Sequence, residues 1–145
     1  MTVPSRFASC AVFLAVFAVK AQAQDPQIPA DAAEVKTTES GLKYSILAAG
    51  KGEKKPAAKD AVKVHYSGWL TDGKLFDSSV KRGAPATFGV TQVIKGWTEG
   101  LQLMTVGARF KFTIPWNLAY GEQGRPPSIP AKADLIFEVE LLDVL

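Results

Sequence analysis

The chain has 145 residues, 47% hydrophobic and 21% charged, which is the make-up of one globular domain and excludes a disordered or fibrous protein. Its formal net charge is only +3, and Lys and Arg are not clustered on one face, so there is no case for binding nucleic acid. One Cys, one His and scattered carboxylates exclude a thiol nucleophile in the mature chain, a zinc site of the His/Cys type and assignable paired-carboxylate hydrolysis.

At the N-terminus, Arg6 precedes the uncharged run Phe7 to Val19 and the small-x-small pattern Ala21-Gln22-Ala23. This reads as a secretory signal peptide over residues 1–23, cleaved after Ala23. The run is shorter than the ~20 residues that span a bilayer, so stable membrane insertion after cleavage is not expected. Cleavage removes Arg6, Lys20 and Cys10, leaving 15 basic against 14 acidic side chains and no disulfide. The expected location is exported: periplasmic or secreted in a bacterium, the secretory lumen in a eukaryote. Residues 24–40 are polar and aperiodic, a flexible leader too short and too polar for a dimerisation arm, so a monomer is expected.

From Gly41 the chain reads as a domain over residues 41–145. Leu42 to Leu47 forms the first strand, before the turn-rich Gly50-Lys51-Gly52. Val62, Val64 and Tyr66 alternate with Lys63, His65 and Ser67, the period of a half-buried antiparallel strand. An Asp72-Gly73 turn leads to a return strand through Phe76. Trp97, Leu101 and Met104 recur at i, i+4, i+7 and predict a short helix closed by Gly107. Alternation returns in Phe110, Phe112 and Ile114, then in Leu135, Phe137, Val139 and Leu141, with a long loop, Gly121 to Pro130, before the last strand. The predicted class is α+β, with about five antiparallel strands curled around one short α-helix.

No Gly-rich loop has the context of a nucleotide site, and His65, on the polar face of its strand, reads as structural or solvated. What remains is an excess of aromatics where turns, strands and helix converge: Tyr66, Phe76, Phe88, Trp97, Tyr120 and Phe137. Alone, such residues are ordinary core.

Their neighbours change that reading. Val64-His65-Tyr66-Ser67-Gly68, Asp72-Gly73-Lys74-Leu75-Phe76-Asp77-Ser78-Ser79, Val93-Ile94-Lys95-Gly96-Trp97, Ala119-Tyr120-Gly121 and Phe137-Glu138-Val139-Glu140-Leu141-Leu142 occur in this order. In them the chain, over residues 41–145, resembles the FKBP family of prolyl isomerases, which bind macrolide immunosuppressants. The resemblance implies a sheet wrapped on a helix, an apolar pocket floored by Trp97, peptidyl-prolyl cis-trans isomerase activity with no cofactor or metal, Pro-containing polypeptides as substrates, and macrolides as inhibitors. By position, Asp77, Tyr120, Ile94 and Tyr66 would carry catalysis. Phe76, Val93, Ile129, Phe137 and Arg82 would bind substrate with Trp97. Ala86 stands where a second wall aromatic is expected, Leu118 where Tyr is common, Arg125 where some members carry His, and Ser128 where Ile is common. Two other readings remain: a module that holds Pro-containing segments without catalysis, and an interaction domain whose aromatics are only core.

Overall fold

A computed structural model describes residues 25–145; the expected signal segment, residues 1–23 with Cys10, lies outside the described residues. Among the described residues, seven strands and two short helices follow in the order β1 (Lys36–Thr37), β2 (Lys43–Ala48), β3 (Ala61–Leu70), β4 (Leu75–Ser78), α1 (Ser79–Arg82), β5 (Ala86–Gly89), α2 (Lys95–Leu101), β6 (Arg109–Ile114) and β7 (Leu135–Val144), with a 3-10 turn at Trp116–Leu118 before β7. All pairings are antiparallel, in the order β1-β2-β6-β7-β3-β4, and β5 joins the other end of β3. The α+β class and the antiparallel sheet predicted from alternation are therefore present.

Long β3 is the spine of the sheet. Its second half pairs with β4, from Ser67↔Ser78 to Trp69↔Leu75, and its first half with β5, from Ala61↔Gly89 to Val64↔Ala86. The β3–β4 turn is the Asp72-Gly73 corner: Gly73 takes a φ of 94°, and the Asp72 carboxylate accepts from the Lys74 N–H at 2.9 Å. Three elements escaped the sequence reading, among them the four-residue β5, whose stretch Ala86-Thr87-Phe88-Gly89 is too short to show a period. β1 is only two residues long, and Ser79 begins a helix instead of continuing the return strand. The Ser78 hydroxyl caps that helix by accepting from Lys81 N–H, and Gly83, at a φ of 83°, closes it.

The inner face of the sheet packs on α2. This helix buries Gly96, Trp97, Gly100 and Leu101, and the absence of side chains at Gly96 and Gly100 lets it approach the sheet closely. A Cβ on Gly96 would lie 2.6 Å from Ile114, and one on Gly100 2.6 Å from Phe112. The helix ends at Leu101, earlier than the i, i+4, i+7 stripe implies; Met104 is nevertheless fully buried in the turn that follows.

The outer face is not simply polar. Lys63 is exposed, but Ser45, Ser67 and Trp69 are buried. The segment from Asp25 to Val35 forms no helix or strand, as expected of a leader, yet it lies along this face through specific contacts. The Pro26 carbonyl accepts from Trp69 Nε1 at 3.0 Å, and Ser45 Oγ accepts from the Ala32 N–H at 2.6 Å. Asp25 pairs with Lys81 and Asp31 with Lys111, each at 2.8 Å. Contact with the domain thus begins well before Gly41, where composition alone puts the boundary.

Candidate functional site

Between the inner face of the sheet and the N-terminal end of α2, the fold leaves a cleft of about 220 Å3. Its floor is Trp97. The turn Val90 to Ile94 delivers the chain into α2 with Ile94 at the N-cap, and the Ile94 carbonyl accepts from Trp97 N–H at 3.0 Å and Thr98 N–H at 3.1 Å. That geometry places the indole on the cleft lining, only 4% exposed. Three rings meet it edge to face: Tyr66 at 5.2 Å, Phe137 at 5.3 Å and Phe88 at 5.5 Å between centroids. Phe76 adds a fourth wall against Phe137 at 5.6 Å.

Gly68 makes this aromatic box possible. It pairs with Asp77 on one side and Phe137 on the other, and a Cβ there would lie 2.6 Å from the Phe137 ring and 2.7 Å from that of Phe76. The register shift between Gly68 and Trp69 belongs to the same place in the β3–β4 pair.

One edge of the cleft is polar. The Tyr66 hydroxyl donates to Asp77 Oδ2, Arg82 Nη1 donates to Asp77 Oδ1, and Arg82 Nη2 donates to the Tyr66 oxygen at 3.2 Å. The guanidinium also lies 5.7 Å from the Tyr66 ring centre. Helix α1 ends at Arg82 and so returns this side chain to a carboxylate five residues earlier. Burial raises the Tyr66 phenol above its ordinary pKa; its bond to the Asp77 carboxylate raises it further, and Arg82 acts in the opposite sense. Bonds to Tyr66 and then Asp77 raise the Arg82 guanidinium. Asp77 itself lines the cleft and remains 39% exposed, so these two partners do not close off its carboxylate.

Two donors stand elsewhere on the rim. Among the described residues the Ile94 N–H makes no hydrogen bond, and the Tyr120 hydroxyl only accepts a long contact, 3.4 Å, from Arg125 Nη1. Trp97 Nε1 is buried and unpartnered, enclosed by the rings around it.

The cleft therefore brings together Tyr66, Phe76, Asp77, Val93, Ile94, Trp97, Tyr120 and Phe137 from the sequence reading. It does not include Ile129, which is 3% exposed within the main core: backbone bonds between Arg125 and Ile129 fold the loop back and tuck that side chain inward. Arg82 does not line the cleft either; it reaches Asp77 and Tyr66 from outside. Phe88 and Arg125, noted in the sequence but not assigned to the site, do line it, and so does Gln92, which no motif marks. Gln92 sits in a turn closed by its own N–H on the Gly89 carbonyl at 3.0 Å. His65 lies on the outer face, its Nδ1 2.9 Å from Ser79 Oγ. Among the described residues no three His, Cys, Asp or Glu side chains gather as a metal ion would require.

Comparison with known proteins agrees with this geometry. Residues 52–142 match the family described as FKBP-type peptidyl-prolyl cis-trans isomerase. Over 110 residues the chain is 63% identical to the FKBP-type peptidyl-prolyl cis-trans isomerase FkpA of Aeromonas hydrophila, covering 76% of this chain and 40% of that protein. It is 54% identical over 111 residues to the FKBP-type 22 kDa peptidyl-prolyl cis-trans isomerase of Escherichia coli K12, covering 77% of this chain and 53% of that one. The crystal structure of FkpA from Escherichia coli superposes with a TM-score of 0.74 at 50% identity, covering 78% of this chain and 52% of that one. The chain thus spans about half or less of the length of these relatives.

Proposed function

We infer the activity from one premise, that this chain belongs to the FKBP-type peptidyl-prolyl cis-trans isomerase family: it accelerates rotation about X-Pro peptide bonds in polypeptide substrates. The observation that carries this reading is the aromatic cleft on Trp97 with the Tyr66–Asp77–Arg82 cluster at its edge.

The chemistry asks little of such a cleft. Cis and trans X-Pro bonds differ by only about 0.5–1 kcal/mol, yet exchange takes tens to hundreds of seconds. The barrier, roughly 18–20 kcal/mol, is the loss of amide resonance as the C–N bond twists. A twisted amide has less charge separation than a planar one, so a dry apolar cleft disfavours the planar ground state more than the transition state. Lowering the barrier by about 5 kcal/mol already gives a several-thousand-fold acceleration.

In this mechanism the proline ring stacks on Trp97 between Phe76, Val93 and Phe137. The Ile94 N–H and the Tyr120 O–H donate to carbonyls of the bound peptide and fix its direction. The open side of Asp77 faces the carbonyl of the rotating bond, while Tyr66 and Arg82 hold the carboxylate in place. Ile129 supports the site from the core and does not touch substrate. No proton is transferred and no covalent bond forms.

Macrolide immunosuppressants would compete for the same cleft, with fewer wall contacts because Ala86 replaces an aromatic. The same proposal has the protein exported after cleavage at Ala23 and monomeric; N-terminal sequencing of the mature chain should begin at Gln24.

Refolding of a protein limited by a prolyl bond separates this reading from a holding module. Substoichiometric amounts of residues 24–145 should speed the slow phase without changing the yield. Slowed folding that needs stoichiometric protein would favour the holding module instead.

A further inference from the structure

The charges around the cleft mouth do not balance. Asp77 is paired with Arg82, so these two charges offset each other at the edge of the cleft. Arg125 stands on the cleft lining with an exposed side chain. Its guanidinium lies 5.6 Å from the Tyr120 ring centre, with Nη1 3.4 Å from the Tyr120 oxygen. Among the described residues every ion pair belongs to another cation, namely Lys81, Arg82, Arg109 or Lys111, and Glu122, three residues earlier in the same loop, does not pair with Arg125. Lys95, next in sequence to the cleft-lining Ile94, is also exposed.

Stacking on Tyr120 keeps this guanidinium beside the mouth instead of free in solvent, and the backbone bridge of Arg125 with Ile129 (2.8 and 3.0 Å) holds the loop beneath it. A planar cation held in this way has unused donors for a carboxylate. We propose that Arg125 is a specificity-determining residue that makes the cleft prefer prolines flanked by an acidic residue. The inference rests on the isomerase reading and narrows its substrate class.

Because the pair would form at an exposed rim, its effect is modest, ~2–5-fold in kcat/KM at low salt, and screened by added salt. The test uses peptides with Glu or Gln either immediately before or immediately after a single proline, with cis/trans exchange measured by NMR. At one of the two positions the Glu peptide should exceed its Gln counterpart by that factor, and the ratio should shrink toward one in ~0.5 M salt. Arg125→Lys, which keeps the charge but not the planar fork held over Tyr120, should weaken the preference, and Arg125→Gln should lose it. Arg125→Glu should shift the preference toward a Lys-flanked peptide. The Glu-to-Gln ratio is internal to each variant, so a general loss of activity or stability does not imitate the effect. A ratio of one at both positions in the unsubstituted protein, or a preference that survives Arg125→Gln, overturns the inference while leaving the isomerase reading standing. Absence of acceleration for every peptide overturns both.

Discussion

At the residue scale, the central feature is that Asp77 is both anchored and open. Tyr66 binds one of its oxygens and Arg82 the other, and the side chain stays 39% exposed on the cleft lining. Asp77→Leu removes that carboxylate and leaves the Tyr66 hydroxyl without its acceptor. Hydrogen bonds to charged groups contribute ~1.5–3 kcal/mol, so kcat/KM for a Leu-Pro peptide should fall roughly ten-fold or more while the circular dichroism spectrum is kept. Unchanged turnover would remove Asp77 from the mechanism. Tyr66 carries a pH dependence with a definite sign. Its folded pKa is raised, so its contribution to stability is complete below the unfolded value of about 10 and is lost as pH rises through the higher folded value. Denaturant midpoints followed from about pH 8 upward should decline above pH 10, and Tyr66→Phe should remove this part of the decline. Gly68 is the third such position. Gly68→Ala drives a methyl into Phe76 and Phe137, which should cost ~1–3 kcal/mol and open the box, lowering activity with it. A variant of unchanged stability and turnover would show that the rings move aside freely.

Elements show what the sequence could and could not express. Period-two alternation located β3, β6 and β7, because each buries one face against the same core. Spacing placed Trp97 and Leu101 on a helix, but it could not show that Gly96 and Gly100 set the depth of that helix against Ile114 and Phe112. Gly100→Ala raises helix propensity by about 1 kcal/mol, yet overpacking Phe112 should make the change destabilising overall, as thermal denaturation would reveal. Ile129 and Gln92 were illegible for different reasons. The loop's fold-back on Arg125 decides where Ile129 goes, and Gln92 acts by standing in a turn that carries no periodic signal. The leader was misjudged only in its contacts: a polar, aperiodic segment says nothing about the partners its backbone finds on a distant strand. Removing residues 24–35 uncovers Trp69 and the buried Ser45, and should cost ~1–3 kcal/mol with a red shift in tryptophan emission. Identical urea midpoints for the long and short forms would make the leader a bystander.

On the scale of the whole molecule, the sheet, α2 and the loop before β7 act as a frame around an aromatic cleft, and all the aromatics singled out in the sequence converge there. Spaced motifs revealed the site more fully than composition could, since Tyr66, Asp77, Trp97 and Phe137 come from four elements and meet only in the folded chain. The rim was less legible, because the positions of Arg125 and Gln92 depend on loops rather than on strand or helix period. On the proposed isomerase mechanism, this frame lowers a rotational barrier without shifting the equilibrium. The direct measurement is NMR exchange spectroscopy on a Leu-Pro-Phe peptide with catalytic amounts of residues 24–145. Exchange should rise in proportion to enzyme, with the cis/trans ratio unchanged and the effect lost in Asp77→Leu. Exchange at the uncatalysed rate, from folded protein that still binds the peptide, would contradict the account and leave a cleft that holds proline without turning it.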